Sequence, residues 1–536
     1  MKPYKSLVFA INSIAFLFLC CTNPSASSQS REAGATSQKP NSAPFKDFLG
    51  INAFEWNFLQ NPADPNNGSV IFEPKMALIQ SFGGVRHYLD WTKIEPQKGT
   101  YTFNPTANGG WNLDVIYQRC KAAGIDVLVC LKTCPEWLLA TYPPSERDNE
   151  NVPMPYGADK KLPLSYLDQA KAGFQLAARY GSTRVDTSLL TVSRKPRWTS
   201  DPVNSAKTGL DLIKYIECDN ERDKWWKGDK AHQTAAEYAA NLSAFYDGDQ
   251  GKLGKAVGVK AADPRMIVVM AGLAAPDVSY VQEMINWCKE HRGYKKDGSI
   301  NLCFDVINYH LYANDHLNHS DKQGKVGVAP ELSEAANVAD DFVALGKKYK
   351  LDVWVTESGY DINDKSPQRA ISIGNKSAMV TQADWTIRTA LLYARHGIRK
   401  NFFYMLYDDN VQSSTQYASS GFVNNDLTRR PVINYVSQVK NLMWNYHYSR
   451  TIGSSPLVDI YEHAQKKIYV LTIPEQQAQI TAYKLNLPGC KRAVIHQLNA
   501  NGLMMTSVPV AVNNGQLKVE VSETPTFVEP LNNSGK

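Results

Sequence analysis

Two glutamates stand where this chain could do chemistry. Glu221 closes the run Ile213-Lys214-Tyr215-Ile216-Glu217-Cys218-Asp219-Asn220, and Glu357 closes Leu351-Asp352-Val353-Trp354-Val355-Thr356. Each run is short and rich in β-branched and aromatic residues, which reads as a buried strand. Each glutamate therefore lies at the C-terminal tip of a strand, and in a parallel α/β barrel that end of every strand opens into the active site. Two carboxylates so placed meet the needs of glycoside hydrolysis: one group gives a proton, the other attacks or activates water. They are far apart in the sequence, so only a closed fold can bring them together.

The elements around them have the right order. Strand-like runs fall at residues 48–54, 85–91, 125–131, 212–217, 266–270, 304–309, 353–355 and 401–406. Helical spacing falls between and after them, at 76–82, 113–123, 166–180, 234–246, 278–291, 331–349, 381–396 and 432–446. Strand and helix in alternation predict a parallel sheet with crossover helices, and eight such units predict a (β/α)₈ TIM barrel. Beyond about residue 450 the pattern changes to short alternating runs at 467–472, 478–483, 492–497 and 517–521. Turns of Gly, Asn and Pro separate them, as in a small β-sandwich. The expected fold class is thus α/β, with the barrel at 45–446 and the C-terminal β-sandwich at 447–536. Insertions at 55–75, 134–165 and 310–330 would shape the cleft.

The N-terminus reads as a targeting segment over 1–21. Lys2 and Lys5 precede a mostly apolar stretch from Leu7 to Leu19, too short to span a membrane. It ends at Cys20-Cys21, which resembles a bacterial lipoprotein signal, and Cys21 is the better candidate for lipidation. Residues 22–44, rich in Ser, Ala, Gln and Pro, read as a flexible tether. The expectation is an exported protein of the cell envelope, touching the membrane only through an N-terminal lipid. The net charge of +6 over 536 residues is small and spread out, which argues against a nucleic-acid partner. Nine cysteines, seven of them beyond the signal, show no zinc-site spacing; Cys130 and Cys134 are near enough in sequence to pair.

The chain resembles the retaining glycoside hydrolases of clan A. Asn220-Glu221 is similar to the Asn-Glu pair that closes the fourth strand in that clan, and Glu357 to the glutamate that closes the seventh. The stretch Arg86 to Phe103, with Trp91, Ile94-Glu95-Pro96 and Gly99-Thr100-Tyr101, resembles the second-strand segment of many members. The tail Ser522 to Val528 looks like their accessory sandwich. The resemblance implies that Glu221 is the acid/base and Glu357 the nucleophile, with no metal or organic cofactor. Two departures leave the family open: Arg222 stands where the clan usually has proline, and Tyr404 and Tyr407 occupy the region of a common tryptophan.

Neighbouring residues take roles by their chemistry. Asn220 could bond the sugar 2-hydroxyl, and Arg86 could hold Glu357 ionised. Tyr309, His310 or Tyr312 could donate to the nucleophile or the sugar. Trp137, Trp225, Trp226, Tyr404 and Tyr407 could stack on sugar rings, although aromatics near strand ends are as often core. Glu217 and Asp219 flank the site as alternative acids, while Asp408 and Asp409 are candidate substrate contacts. The expected function is cleavage of β-glycosidic bonds in a polysaccharide or oligosaccharide. Alternatives are a non-catalytic carbohydrate-binding barrel and a transglycosylase using the same two carboxylates.

Overall fold

The computed structural model describes residues 42–531 apart from Asn66, and its first eight strands close into a parallel barrel. They are β1 Gly50–Ala53, β2 Gly84–Asp90, β3 Asp126–Lys132, β4 Tyr215–Cys218, β5 Ile267–Met270, β6 Val306–His310, β7 Asp352–Glu357 and β8 Lys400–Phe403. The seam between β8 and β1 is tight. A Cβ on Gly50 would lie 2.6 Å from the Asn401 carbonyl oxygen, so closure requires glycine there.

A helix follows each strand: α1 Glu73–Ile79, α2 Leu113–Ala122, α3 Leu167–Tyr180, α4 Ala235–Asp247, α5 Val278–His291, α6 Ala335–Tyr349, α7 Ala378–Arg395 and α8 Pro431–Met443. Their limits follow local chemistry. Thr234 and Glu237 form a capping box at the start of α4, and Gly248 ends it in the left-handed conformation. Pro431 stands in the first turn of α8, where its missing N–H costs nothing.

The barrel interior is layered. Leu128, Val269, Val306, Trp354 and Phe402 fill one apolar layer. Next to it lies a buried polar layer of Asn52, Arg86, Glu217, Asn308 and Thr356. The first layer fixes the strands; the second carries the groups at the mouth.

The C-terminal β-sandwich has eight strands: β9 His447–Ser454, β10 Leu457–His463, β11 Lys466–Thr472, β12 Ile480–Asn486, β13 Arg492–Gln497, β14 Thr506–Ala511, β15 Gln516–Ser522 and β16 Thr526–Leu531. Six of them form a sheet in the order β14-β13-β16-β11-β10-β9, and β12 pairs with β15. Val458, Leu471, Leu485, Val519, Val521 and Val528 share the core between them. Ion pairs fasten this unit to the barrel, among them Arg395 to Asp459 at 2.9 Å.

Several expectations shift. Residues 42–44, expected within the tether, are seated on β9: the Ser42 hydroxyl donates to the Tyr448 carbonyl at 2.6 Å, and Ala43 is buried. The signal segment and Cys21 lie outside the described residues. Cys130 and Cys134 do not pair; the Cys130 thiol lies against Arg86 and Asp219, the Cys134 thiol against the Asn151 carbonyl. The juxtaposed thiols are instead Cys288 and Cys303, buried with sulfurs 3.4 Å apart.

The segment after β2 contains a buried acid, Glu95. It accepts from the Trp91 indole N–H at 2.5 Å and the Gly99 N–H at 2.6 Å, but burial dominates and pushes its carboxyl up to about 7. A raised carboxyl contributes stability below its unfolded value of 4.5, and that stability is lost as pH rises through about 7. Thermal denaturation should therefore show wild type losing stability between pH 5 and pH 8, by up to about 3 kcal/mol from this group. Glu95→Gln should flatten that slope. An unchanged slope in the variant would contradict the assignment.

Candidate active site

Arg86 sits at the centre of the barrel mouth, wholly buried. Alternation along β2 turns Arg86 and Tyr88 to the same side. Arg86 Nε donates to Glu217 at 2.6 Å and Nη2 to the other Glu217 oxygen at 2.9 Å. Nη1 donates to Glu357 at 2.9 Å and to Asn52 at 3.1 Å, while Nη2 also reaches Asn220 at 2.8 Å. One guanidinium thus ties β1, β2, β4 and β7 together through their side chains.

Glu357 reaches this point because β7 carries one extra residue opposite β6. Tyr309 pairs with Val355, but His310 pairs with Glu357, so Thr356 and Glu357 both turn toward the mouth. Glu357 Oε1 accepts from Arg86 and from the Tyr88 hydroxyl, and Oε2 accepts from the Tyr312 hydroxyl at 2.8 Å. Burial pushes its carboxyl up, but His310, Arg86 and the two tyrosine donors outweigh that and hold it below 4.5. It is an ionised, fully oriented carboxylate.

Glu221 lies on the loop just after β4. Its φ is 50° and that of Asp219 is 71°, both in the left-handed region that side chains avoid. The turn is held by the Glu221 N–H donating to the Gly272 carbonyl at 3.1 Å and by Asp219 accepting from the Asn220 N–H at 2.8 Å. Glu221 Oε1 lies 2.9 Å from His310 Nδ1. The other ring nitrogen, Nε2, lies 3.0 Å from the Thr356 hydroxyl. Burial pulls His310 down, yet Glu357 and Glu221 together raise it above 6.5. Glu221, His310 and Glu357 offer atoms that all lie within 4.8 Å of one another.

Those three groups have the donor types of a metal site. Arg86 stands against that use: its fixed positive charge already occupies Glu357, and the remaining Glu357 oxygen is taken by Tyr312. His310 likewise spends both nitrogens on Glu221 and Thr356.

The structure gathers most of the residues singled out by sequence. Arg86, Asn220, His310, Tyr312 and both glutamates form one hydrogen-bonded cluster. Asn220 gives its carbonyl oxygen to Arg86, which turns its amide donors away from the guanidinium. Tyr404 borders the cluster, its ring 6.2 Å from that of Tyr88 and 6.5 Å from that of Tyr417. Trp137 is not brought to the carboxylates. It packs edge-on against Trp91 at 5.6 Å and donates its indole N–H to the Glu95 carbonyl.

The flanking acids are accounted for. Glu217 is wholly buried beneath the cluster as the partner of Arg86, and Asp219 is held by Arg222 at 3.2 Å. Asp408 is a buried partner of Arg430. Tyr309 faces the helix layer against Phe342. Sequence reasoning missed Tyr88, Asn52 and Tyr417. Tyr88 was signalled by its two-residue spacing from Arg86; Tyr417, whose ring lies 4.3 Å from that of Tyr312, comes from a loop that no periodicity marks.

Comparisons with known proteins point the same way. A glycoside hydrolase family 42 (beta-galactosidase) model matches residues 85–183, which include Arg86 and Tyr88 but neither glutamate. A solved family 39 glycoside hydrolase from the gut symbiont Bacteroides cellulosilyticus aligns at TM-score 0.59 and 16% identity, covering 92% of this chain and 81% of that one. A glucosidase from Croceicoccus marinus aligns at 0.53 and 10% identity, covering 92% and 97%. A family 51 alpha-L-arabinofuranosidase from Bifidobacterium longum aligns at 0.53 and 12% identity, with the same coverage. At these identities the likeness is one of fold. No curated protein matches. Family-model match, fold and motifs agree with the clan A resemblance and single out no family within it.

Tyr312 offers a test of the electrostatics. A depressed carboxyl contributes stability above its unfolded value of 4.5, lost as pH falls through its folded value. Tyr312→Phe removes one donor to Glu357, so the variant should be less stable near neutrality, by about 1–3 kcal/mol. The deficit in thermal denaturation should narrow on acidification below pH 4.5. A deficit independent of pH would mean that the hydroxyl does not serve the Glu357 charge.

Proposed function

We propose that this chain is a retaining glycoside hydrolase acting on β-linked sugars of a polysaccharide or its oligosaccharides. The observation that carries this reading is that one carboxylate oxygen of Glu221 and one of Glu357 lie within 4.8 Å of each other at the open end of the barrel. Retaining enzymes hold their two carboxyl groups about 5–5.5 Å apart, whereas inverting enzymes leave a wider gap for water. Glu357, ionised and aimed, attacks the anomeric carbon and forms a glycosyl ester. Glu221 protonates the leaving oxygen, then removes a proton from the water that cleaves the ester.

The neighbours support this division of labour. Glu357 has four charged or donating partners that favour its anion, as a nucleophile requires. Among the described residues Glu221 has only His310 at hydrogen-bonding distance, and it is more open to solvent, with its side chain 21% exposed. That access suits a group that must exchange protons with a leaving group and with water. Asn220, with its amide donors directed away from Arg86, is positioned to bond a sugar hydroxyl. Tyr404 and Tyr417 border the same space. We further propose that residues 1–21 export the chain and that Cys21 carries a lipid; Cys21→Ser should abolish incorporation of labelled palmitate in the native host.

Glu357→Gln should lower kcat on a responsive aryl glycoside by at least about a thousandfold. Glu221→Ala should be slow on substrates with poor leaving groups; with a good leaving group, where release of the glycosyl ester limits turnover, added azide should restore it as a glycosyl azide of retained configuration. An inverted product by NMR, or full activity in Glu357→Gln, would remove the retaining mechanism. Turnover that yields chiefly transfer products with an added sugar acceptor would favour the transglycosylase.

A further inference from the structure

The barrel mouth beside Glu221 holds a second group of side chains that the carboxylate chemistry does not use. The loop after Glu221 runs Arg222-Asp223-Lys224-Trp225-Trp226-Lys227. Its first two residues anchor it: Arg222 binds Asp219, Gln233 and the Ala231 carbonyl, and Asp223 accepts from the Ala274 and Ala275 N–H groups. The main chain of Lys224 is held as well, its N–H donating to the Glu221 carbonyl at 3.2 Å.

The Lys224 side chain is not satisfied in the same way. It is 3% exposed, yet among the described residues its ammonium makes no hydrogen bond. Its nearest carboxylate oxygen, on Glu150, is 4.0 Å away, and Glu150 is engaged by Lys227 at 2.9 Å. Burial and the neighbouring Arg222 push Lys224 below its ordinary value of 10.5, only partly offset by Asp219, Glu150 and Glu221. A buried ammonium with three unused donors is costly until an acceptor arrives.

Lys132 stands at the tip of the adjacent strand, β3, where Leu131 pairs with Cys218 of β4. Its ammonium is 3.5 Å from Asp90, with no hydrogen bond among the described residues, and Asp90 is more closely engaged by Lys93 at 3.0 Å. The same ammonium lies 5.1 Å from the centre of the Tyr88 ring, whose hydroxyl donates to Glu357. Trp225 and Trp226 complete the group. They are 61% and 52% exposed and meet edge to face at 4.9 Å, an apolar surface left open to water.

We propose that this part of the cleft binds an anionic sugar, with Lys224 and Lys132 taking a carboxylate or sulfate group and the Trp225–Trp226 loop giving an apolar face to an adjoining ring. The inference deepens the glycosidase reading and rests on it. The shared chemistry is a negatively charged oxygen group on a saccharide. Its oxygens supply the acceptors that Lys224 lacks, and its charge offsets the penalty of burying that ammonium. Neutral hydroxyls could meet the first need but not the second.

The test is calorimetric binding to the Glu357→Gln protein, which removes turnover from the measurement. Three oligosaccharide sets are compared: uronic-acid-containing, sulfated, and their neutral counterparts. One anionic set should bind at least about tenfold more tightly than its neutral counterpart, and added salt should erode the difference. Lys132→Met, at a position with 22% side-chain exposure, should remove much of that preference, and Lys224→Gln more of it. The two anionic arms separate carboxylate from sulfate. Equal or better binding of the neutral set, no binding of either anionic set, or a preference that survives both substitutions would overturn the proposal. Because binding is read without hydrolysis, a wild type that prefers anions but turns nothing over would indict the carboxylate chemistry instead of the lysines.

Discussion

A guanidinium with no access to water lies at the centre of this barrel, and its neighbours are arranged around its charge. Arg86 spends its donors on Glu217 below and on Glu357 and Asn220 above. Burying such a charge alone would cost far more than a domain can spare, so the arrangement persists only because carboxylates and amides surround it closely. Glu217 answers most of the charge through both of its oxygens, whereas Arg86 reaches Glu357 at one oxygen and Tyr312 holds the other. The acid buried deepest is therefore the counter-ion, and the proposed nucleophile is the one shared with the mouth.

His310 extends this balance upward. It lies 2.9 Å from Glu221 and 3.6 Å from Glu357, with Thr356 behind it. The same imidazole therefore favours the anion on Glu357 and supplies a hydrogen-bonding partner to Glu221. The unequal settings of the two glutamates suit unequal work: one buried and surrounded by donors, the other on a strained turn with solvent at hand. The polar cluster also explains why the apolar layer of Leu128, Val269, Val306, Trp354 and Phe402 lies where it does. It gives the charged layer a rigid floor, since packed side chains do not yield to shifts of an ångström.

Much of this was legible in the sequence because barrels write themselves as local periodicity. All eight barrel strands and their helices were found, with limits displaced by a few residues; α5, at Val278–His291, coincides with its expected range. Glu221 and Glu357 could be singled out because strand tips are readable. The extra residue in β7 was not, since a bulge changes which way a side chain faces without changing its type. Tyr88 was passed over because a tyrosine inside a strand looks like core until its hydroxyl meets a carboxylate. Trp137 was raised as a sugar contact for the opposite reason: it is near a strand end but turned toward Trp91. In the sandwich, β9, β10, β14 and β16 were missed; the side chains of β9 are mostly exposed, so no alternation marks it.

The proposed retaining mechanism requires that Glu357 become covalently joined to sugar. The most direct measurement is mass spectrometry of the protein after reaction with 2-deoxy-2-fluoro glycosides carrying a good leaving group, which slow the release of any glycosyl ester. One sugar should be added per chain, located by peptide mapping on the fragment containing Glu357, and none on Glu357→Gln. A label found on Glu221 or Glu217, or turnover of a confirmed substrate with no ester trapped, would contradict that mechanism.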